Sequence, residues 1–285
     1  MEVEARQGDF EVGQVVGPYE LLEKAGALGF GSAFKVRNTE AGRIELLRVL
    51  PLELSMGLAA RRFLREAKIL QSLIHPNIVK LYRADQIDGR MVLTNELPEG
   101  RTLDLILQAG PLSLKDGLAH LCGILTGLGC AHAKSIVHRC IAPANIHVLS
   151  NGMVKISGFA FARGEKDPRL TSKGFVIGVA GYMSPEQLAG SKLDPRSDLY
   201  SVAAILYEIV TGRRPFESKS YFQLMKAHLN DSVTAPKTIR ADIPEQLDRT
   251  ILKGLEKEPG RRFQTADEFR GELQSVLDAL GLETA

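Results

Sequence analysis

The chain has 285 residues, 44% hydrophobic and 25% charged, which is ordinary for a globular protein and enough for a substantial core. With 36 Lys and Arg against 34 Asp and Glu, the formal net charge is +2, which gives no electrostatic reason to expect nucleic acid or anionic lipid as a partner. Three cysteines, Cys122, Cys130 and Cys140, suit reduced thiols in a cytoplasm better than a disulfide framework, and no apolar run approaches the roughly 18 residues of a membrane span.

Residues 1–18 carry several charges, lack an apolar signal core and read as a tail. From 19 to 54 short alternating runs predict strands. Residues 61–73 predict a helix, with Phe63, Ala67, Leu70 and Ile74 spaced to face a core. Residues 79–82 and 91–94 suit paired strands, and 96–100, with Pro98, a linker. Residues 19–97 form one expected unit and 98–280, mostly helical, the other, with 281–285 as a second tail. Ser113 caps a helix running towards His132, with Asp116 three residues on. Ser184, Pro185 and Gln187 supply a cap, a first-position proline and a boxing partner. Residues 198–211 are apolar almost all round, as in a buried helix, and Gly212 stops it. Thr265 and Glu268 box a last helix whose Phe269, Leu273, Val276 and Leu280 share a face.

The stretch His138-Arg139-Cys140-Ile141-Ala142-Pro143-Ala144-Asn145 resembles the protein-kinase catalytic loop H-R-D-x-K-P-x-N. Residues 154–160 resemble the strand and turn around D-F-G, with Gly158 at the Asp place. Ser184-Pro185-Glu186 resembles A-P-E, and residues 194–200 the start of the central helix. Upstream, Gly26-Ala27-Leu28-Gly29-Phe30-Gly31 stands where the glycine-rich loop belongs, and Leu47-Arg48-Val49-Leu50 where V-A-I-K would lie. Over residues 19–280 the chain is similar to bacterial Hanks-type serine/threonine protein kinases. The resemblance implies an α+β, bilobal protein-kinase fold, with a β-rich N-lobe holding one main helix and a mostly helical C-lobe.

By this resemblance the positions that touch ATP are altered. Cys140 stands at the catalytic Asp, Ala142 at the Lys, and Gly158 at the metal-binding Asp, leaving Asn145. Arg48 replaces the Lys that pairs with Glu66; its planar fork is larger than an ammonium, and pairing with Glu66 is preferred to phosphate binding. Leu28 replaces a glycine between Gly26 and Gly31. Ala33, Leu46 and His147 would flank the purine, and Asn95 is the gatekeeper, a polar amide needing its own partners. Glu96 keeps the hinge acceptor, but Pro98 falls on the hinge donor and has no N–H, a loss of about 1–3 kcal/mol in a buried polar pocket. Val179 replaces a Thr beside the substrate-binding segment.

The kept residues form a different set. Leu70, Leu81, His138 and Phe159 match the hydrophobic column of active kinases, Asp198 its anchor, and Glu186 with Arg262 a structural ion pair. Thr171 and Ser172 are loop hydroxyls able to accept phosphate, with Arg139 placed to receive it. The expectation is therefore a cytoplasmic pseudokinase that is not an enzyme. It uses no cofactor and no metal, and acts as scaffold or regulator of a protein partner, either an active serine/threonine kinase or its substrate. The alternative is a weak or atypical ATP- and Mg²⁺-dependent serine/threonine kinase, or another nucleotide-dependent transferase.

Overall fold

In the computed structural model, residues 10–28, 31–164, 167 and 178–282 are described. The chain divides into two compact units, the first made of residues up to 74 with 79–98, the second of 75–78 with 99 onwards.

The first unit is built on antiparallel pairing of β1 (Val15–Val16), β2 (Tyr19–Leu28), β3 (Gly31–Asn38), β4 (Arg43–Val49), β5 (Leu81–Ile87) and β6 (Arg90–Glu96), in the order β1-β2-β3-β4-β6-β5. Alternation decides its faces: Tyr19, Leu21, Phe34, Val36, Leu47, Val49 and Val92 form one apolar cluster on one face. The β3–β4 turn is fixed by Asn38, whose Oδ1 accepts from the backbone of Glu40 and Ala41 at 3.1 and 2.9 Å. Helix α1 (Leu58–Ser72) buries Phe63, Glu66, Ala67, Ile69 and Leu70. It starts before the predicted 61 and stops at an extended Leu73. Helical spacing therefore no longer applies at Ile74, which is 82% exposed rather than in the core. The strand expected to reach residue 54 ends at Val49, and Leu52–Leu54 turns as a short 3₁₀ segment behind Pro51.

In the second unit, β7 (Gly100–Thr102), β9 (Ile146–Leu149) and β10 (Val154–Ile156) form one small sheet, and β8 (Ile136–Val137) pairs with β11 (Arg163–Gly164). Around them lie α2 (Leu103–Ala109), α3 (Leu114–Ala133), α4 (Pro185–Leu188), α5 (Pro195–Thr211), α6 (Tyr221–Asn230), α7 (Pro236–Ile239), α8 (Glu245–Gly254) and α9 (Ala266–Ala279). Asn77 ties its short segment here, donating to Val154 O at 2.8 Å and accepting from Ile156 N at 2.8 Å.

Ser113 caps α3 by accepting from Asp116 N, and Ser184 with Gln187 makes a full capping box on α4. Helix α5 begins at Pro195, within the 194–200 stretch that resembles a central-helix start and ahead of the apolar run at 198, because Asp194 caps it and proline suits a first helical position; Gly212 ends it at φ 75°. It is the buried axis of this unit, and close approach to it needs small partners. A Cβ on Gly254 of α8 would stand 2.5 Å from that of Ala203, and one on Gly117 of α3 2.5 Å from Ile209 Cγ2. On α9, Thr265 accepts from Glu268 N at 3.0 Å, but the Glu268 carboxylate turns to Gln264 N at 2.7 Å, so only half of the expected box forms. The buried face is Phe269, Leu273, Val276 and Leu277, while Leu280, past the helix end, is 37% exposed. No helix among the described residues is long and apolar enough to cross a membrane.

Candidate functional site

In the first unit, cross-strand register sets Ala33, Arg48 and Leu93 in one row and Leu46 beside Asn95 in the next, on the face opposite the apolar cluster. Glu66 meets Arg48 from α1, Nη1 to Oε1 at 2.5 Å, with the two side chains 10% and 3% exposed. Among the described residues Arg48 Nε has no acceptor, and the Oδ1 of buried Asn95 has no donor. The partners expected for that amide oxygen are thus not supplied by the described residues. Ala33 is fully buried and Leu46 partly so.

Glu96, at the end of β6, accepts from Lys80 N at 3.2 Å while its own N donates to Lys80 O at 2.8 Å. Pro98 closes the first unit. Gly26 takes φ 97° in open space, and Leu28 pairs with Gly31. Gly31 has a packing reason of its own: an added Cβ would fall 2.1 Å from Val49 O.

In the second unit the loop from 138 to 145 hangs from Asp198. This fully buried carboxylate accepts from His138 N and Arg139 N at 2.8 Å each, and His132 Nε2 stands 2.9 Å away. Burial alone would push its pKa up; the His132 contact and the neighbouring donors outweigh that and hold it below the ordinary range. Arg139 takes φ 69°, rare for a residue with a Cβ, and Gln187 Nε2 donates to its carbonyl at 2.9 Å. His138 Nδ1 accepts from Cys140 N at 3.2 Å, so its Nε2 carries the proton given to Ser157 O at 2.9 Å. Its ring meets Phe159 edge-on at 4.5 Å.

Cys140, Asn145 and Gly158 interlock. Asn145 Nδ2 donates to Cys140 O at 2.7 Å and lies 3.5 Å from its Sγ. Gly158 sits at φ 83°, where a Cβ would be 2.6 to 2.8 Å from three atoms of the Asn145 amide. The amide therefore occupies the space a side chain at 158 would need. Burial raises the Cys140 thiol, with the Asn145 contact pulling the other way, which leaves a protonated, poorly nucleophilic group. Ala142 is buried, and His147 Nε2 is 3.0 Å from Ser157 Oγ.

A hard divalent cation asks for carboxylate oxygens. Among the described residues no group of three His, Cys, Asp or Glu side chains could hold one, and Asn145, whose Nδ2 is turned to Cys140, has only its amide oxygen to offer. These residues do not fit a cation held by the protein itself.

Arg262, 2% exposed, spends all five donors: two on Glu186 at 2.8 Å each, and the rest on the carbonyls of Glu256, Arg196 and Lys257. Ser197 also donates to Glu186, at 2.7 Å. Leu70 and Leu81 are buried in the first unit, and Val179 is 43% exposed. Thr171 and Ser172 lie outside the described residues. Sequence reasoning missed Ser157, which joins His138, His147 and Asn145, and the hold of Gln187 on Arg139. Neither has a local pattern, because each contact spans 10 residues or more.

A six-stranded antiparallel sheet whose Arg48 is paired with Glu66 of the helix, and a helical unit whose loop hangs from a buried aspartate, together define the protein-kinase class. Residues 19–271 match the protein kinase domain, and the chain belongs to that family. It is 34% identical over 268 residues to a probable serine/threonine-protein kinase of Clostridium perfringens, covering 93% of this chain and 39% of that protein. Identity is 36% over 270 residues to a probable serine/threonine-protein kinase of Streptomyces coelicolor (92% and 40% covered). It is 33% over 262 residues to the serine/threonine-protein kinase PknD of Mycobacterium tuberculosis (91% and 40%). The chain spans about two fifths of the length of these relatives.

These relatives correct the functional expectation. Proteins similar across nine-tenths of the chain carry the names of kinases, which are enzymes that draw on ATP. The reading of a non-enzymatic scaffold without a cofactor is overturned. Its flaw was to count lost side chains as lost function, although phosphoryl transfer depends mainly on positioning and electrostatics.

Proposed function

We propose that this chain is the catalytic domain of an atypical ATP-dependent serine/threonine protein kinase, acting slowly on protein substrates in a cytoplasm. The observation that carries the reading is the Arg48–Glu66 pair, with Arg48 Nε left without an acceptor among the described residues in a buried setting. One edge of the guanidinium is anchored through Nη1, and its Nε–H would give a phosphate oxygen a charge-assisted hydrogen bond. Asp198 supports the reading too, since it fixes the path of residues 138 and 139 whatever side chain follows.

The bound nucleotide supplies the phosphoryl group. Any divalent cation enters as part of that substrate, with its oxygens from phosphate and water. Cys140, raised by burial, does not take the hydroxyl proton at neutral pH, and a missing general base costs about 10²–10⁴ in rate. Three unpaired cysteines favour a reducing compartment.

Incubation of the purified chain with γ-labelled ATP and a protein substrate tests the proposal. Slow transfer to Ser or Thr that vanishes in Arg48→Ala is expected. Label no higher than a protein-free blank, or equal label from the variant, would remove it.

A further inference from the structure

Lys257 follows α8, is half-buried, and holds its Nζ 4.2 Å from the centroid of the Phe216 ring. It donates to two carbonyls in the last turn of α6, His228 O at 2.8 Å and Ala227 O at 3.2 Å. An ammonium carries three donors. Among the described residues the third has no hydrogen-bond acceptor, and Lys257 has no ion pair. Lys237 and Lys253 instead stand 2.6 and 2.7 Å from Glu245 and Glu268.

That arrangement tolerates the loss of a proton. A neutral amine still has two N–H groups for the two carbonyls, and it gains a lone pair. The charged groups that act on it are Asp231, Glu256 and Arg262, the last of which also donates to Lys257 O at 2.8 Å. Burial, helped by Arg262, outweighs the two acids and brings the amine down to about 8. His228, whose ring meets Phe216 at 4.9 Å, is brought down to about 4 by burial, with Lys257 and Arg214 adding to it, and is neutral at pH 7.

We propose that Lys257 is an acylation site, which takes an acyl group from an acyl phosphate or an acyl thioester. The Nζ lone pair attacks the carbonyl carbon and an N–C bond forms. The C–O or C–S bond breaks with its electron pair, releasing phosphate or thiolate, and one amine proton passes to water. The amide left behind keeps one N–H. That suffices for His228 O, because Ala227 O also accepts from Asp231 N at 3.0 Å. What is lost is the positive charge over the ring and at the C-terminal end of α6, where a cation is favourable. The site is independent of the phosphoryl-transfer reading, because it uses neither Arg48 nor the loop at 138–145.

Acetylation of the full chain with acetyl phosphate, and separately with acetyl coenzyme A, tests this, each lysine being followed by peptide mass spectrometry. At pH 7 roughly a tenth of an amine titrating at about 8 is neutral, against about one part in 2,500 of an ordinary lysine. A weaker base is also a weaker nucleophile, by the rule that holds for thiols, so Lys257 should react about tenfold faster than the median lysine with at least one donor. Its rate should level off above about pH 8, and the donor that labels it identifies the source of the acyl group. Lys257→Arg should abolish the fast phase and leave the other lysines unchanged. A rate no higher than the median with both donors, one still climbing past about pH 9.5 towards the ordinary lysine value, or a fast phase that persists in Lys257→Arg overturns the site.

Discussion

Arg262→Ala should be among the most damaging single changes in this chain. The substitution leaves the Glu186 carboxylate largely buried with the Ser197 hydroxyl and its own backbone N–H as donors, and strips a donor from the carbonyls of Glu256, Lys257 and Arg196. Removing one partner of a buried ion pair costs about 3–5 kcal/mol, and at about 2–4 °C per kcal/mol for a domain of this size, Tm should fall by roughly 10 °C. The chain has no tryptophan, so urea unfolding is best followed by far-UV circular dichroism. Burial alone would raise the Glu186 carboxyl; the bidentate guanidinium, with Ser197, outweighs burial and holds it below its ordinary value. The pair's contribution is then complete above the unfolded carboxylate pKa of about 4.3 and is lost as pH falls through the lower folded value. Wild type and variant should differ most at pH 7 and converge in acid. A variant within about 0.5 kcal/mol of wild type at pH 7, or a gap that widens on acidification, would refute the reasoning.

Arg48→Ala should leave Glu66 buried without its partner, costing about 3 kcal/mol and raising hydrogen exchange along α1; unchanged exchange there contradicts the pairing. Gly158→Ala should cost roughly 2 kcal/mol, from a left-handed φ with a Cβ and from displacement of the Asn145 amide. Adding Asn145→Ala should recover part of that loss in a double-mutant cycle, and strict additivity of the two would deny the interlock. Gly254→Ala should destabilise by about 2 kcal/mol by forcing α8 off Ala203, whereas Gly260→Ala, with nothing within 4 Å of its added Cβ, should stay within about 0.5 kcal/mol in the same urea titration.

What the sequence made legible was local. Ser113 before Asp116, and Ser184 before Pro185 and Gln187, are patterns of three or four residues that encode their own hydrogen bonds. Element ends were less legible. A periodic pattern does not say where it stops, so Ile74 and Leu280 were assigned to faces of helices that had already ended. The apolar run at 198–211 begins after its helix does, so periodicity alone places the start late, whereas the motif at 194–200 places it at the Asp194 cap. The interlock of Asn145 with Gly158 and Cys140 could not be seen residue by residue, because each substitution looked like an isolated loss until the side chains shared one space. Gly31 stands in a nucleotide-binding motif, while the lack of room for a Cβ beside Val49 O comes from strand packing that no motif records.

Asp198 grips main-chain amides, atoms that every amino acid except proline possesses. The course of the polypeptide through 138 and 139 is thus insured against what happens at 140. A protein arranged this way can exchange the reactive group at that seat for another without redrafting the scaffold beneath it. The frame outlives its fittings, and a chemist could install a different one there.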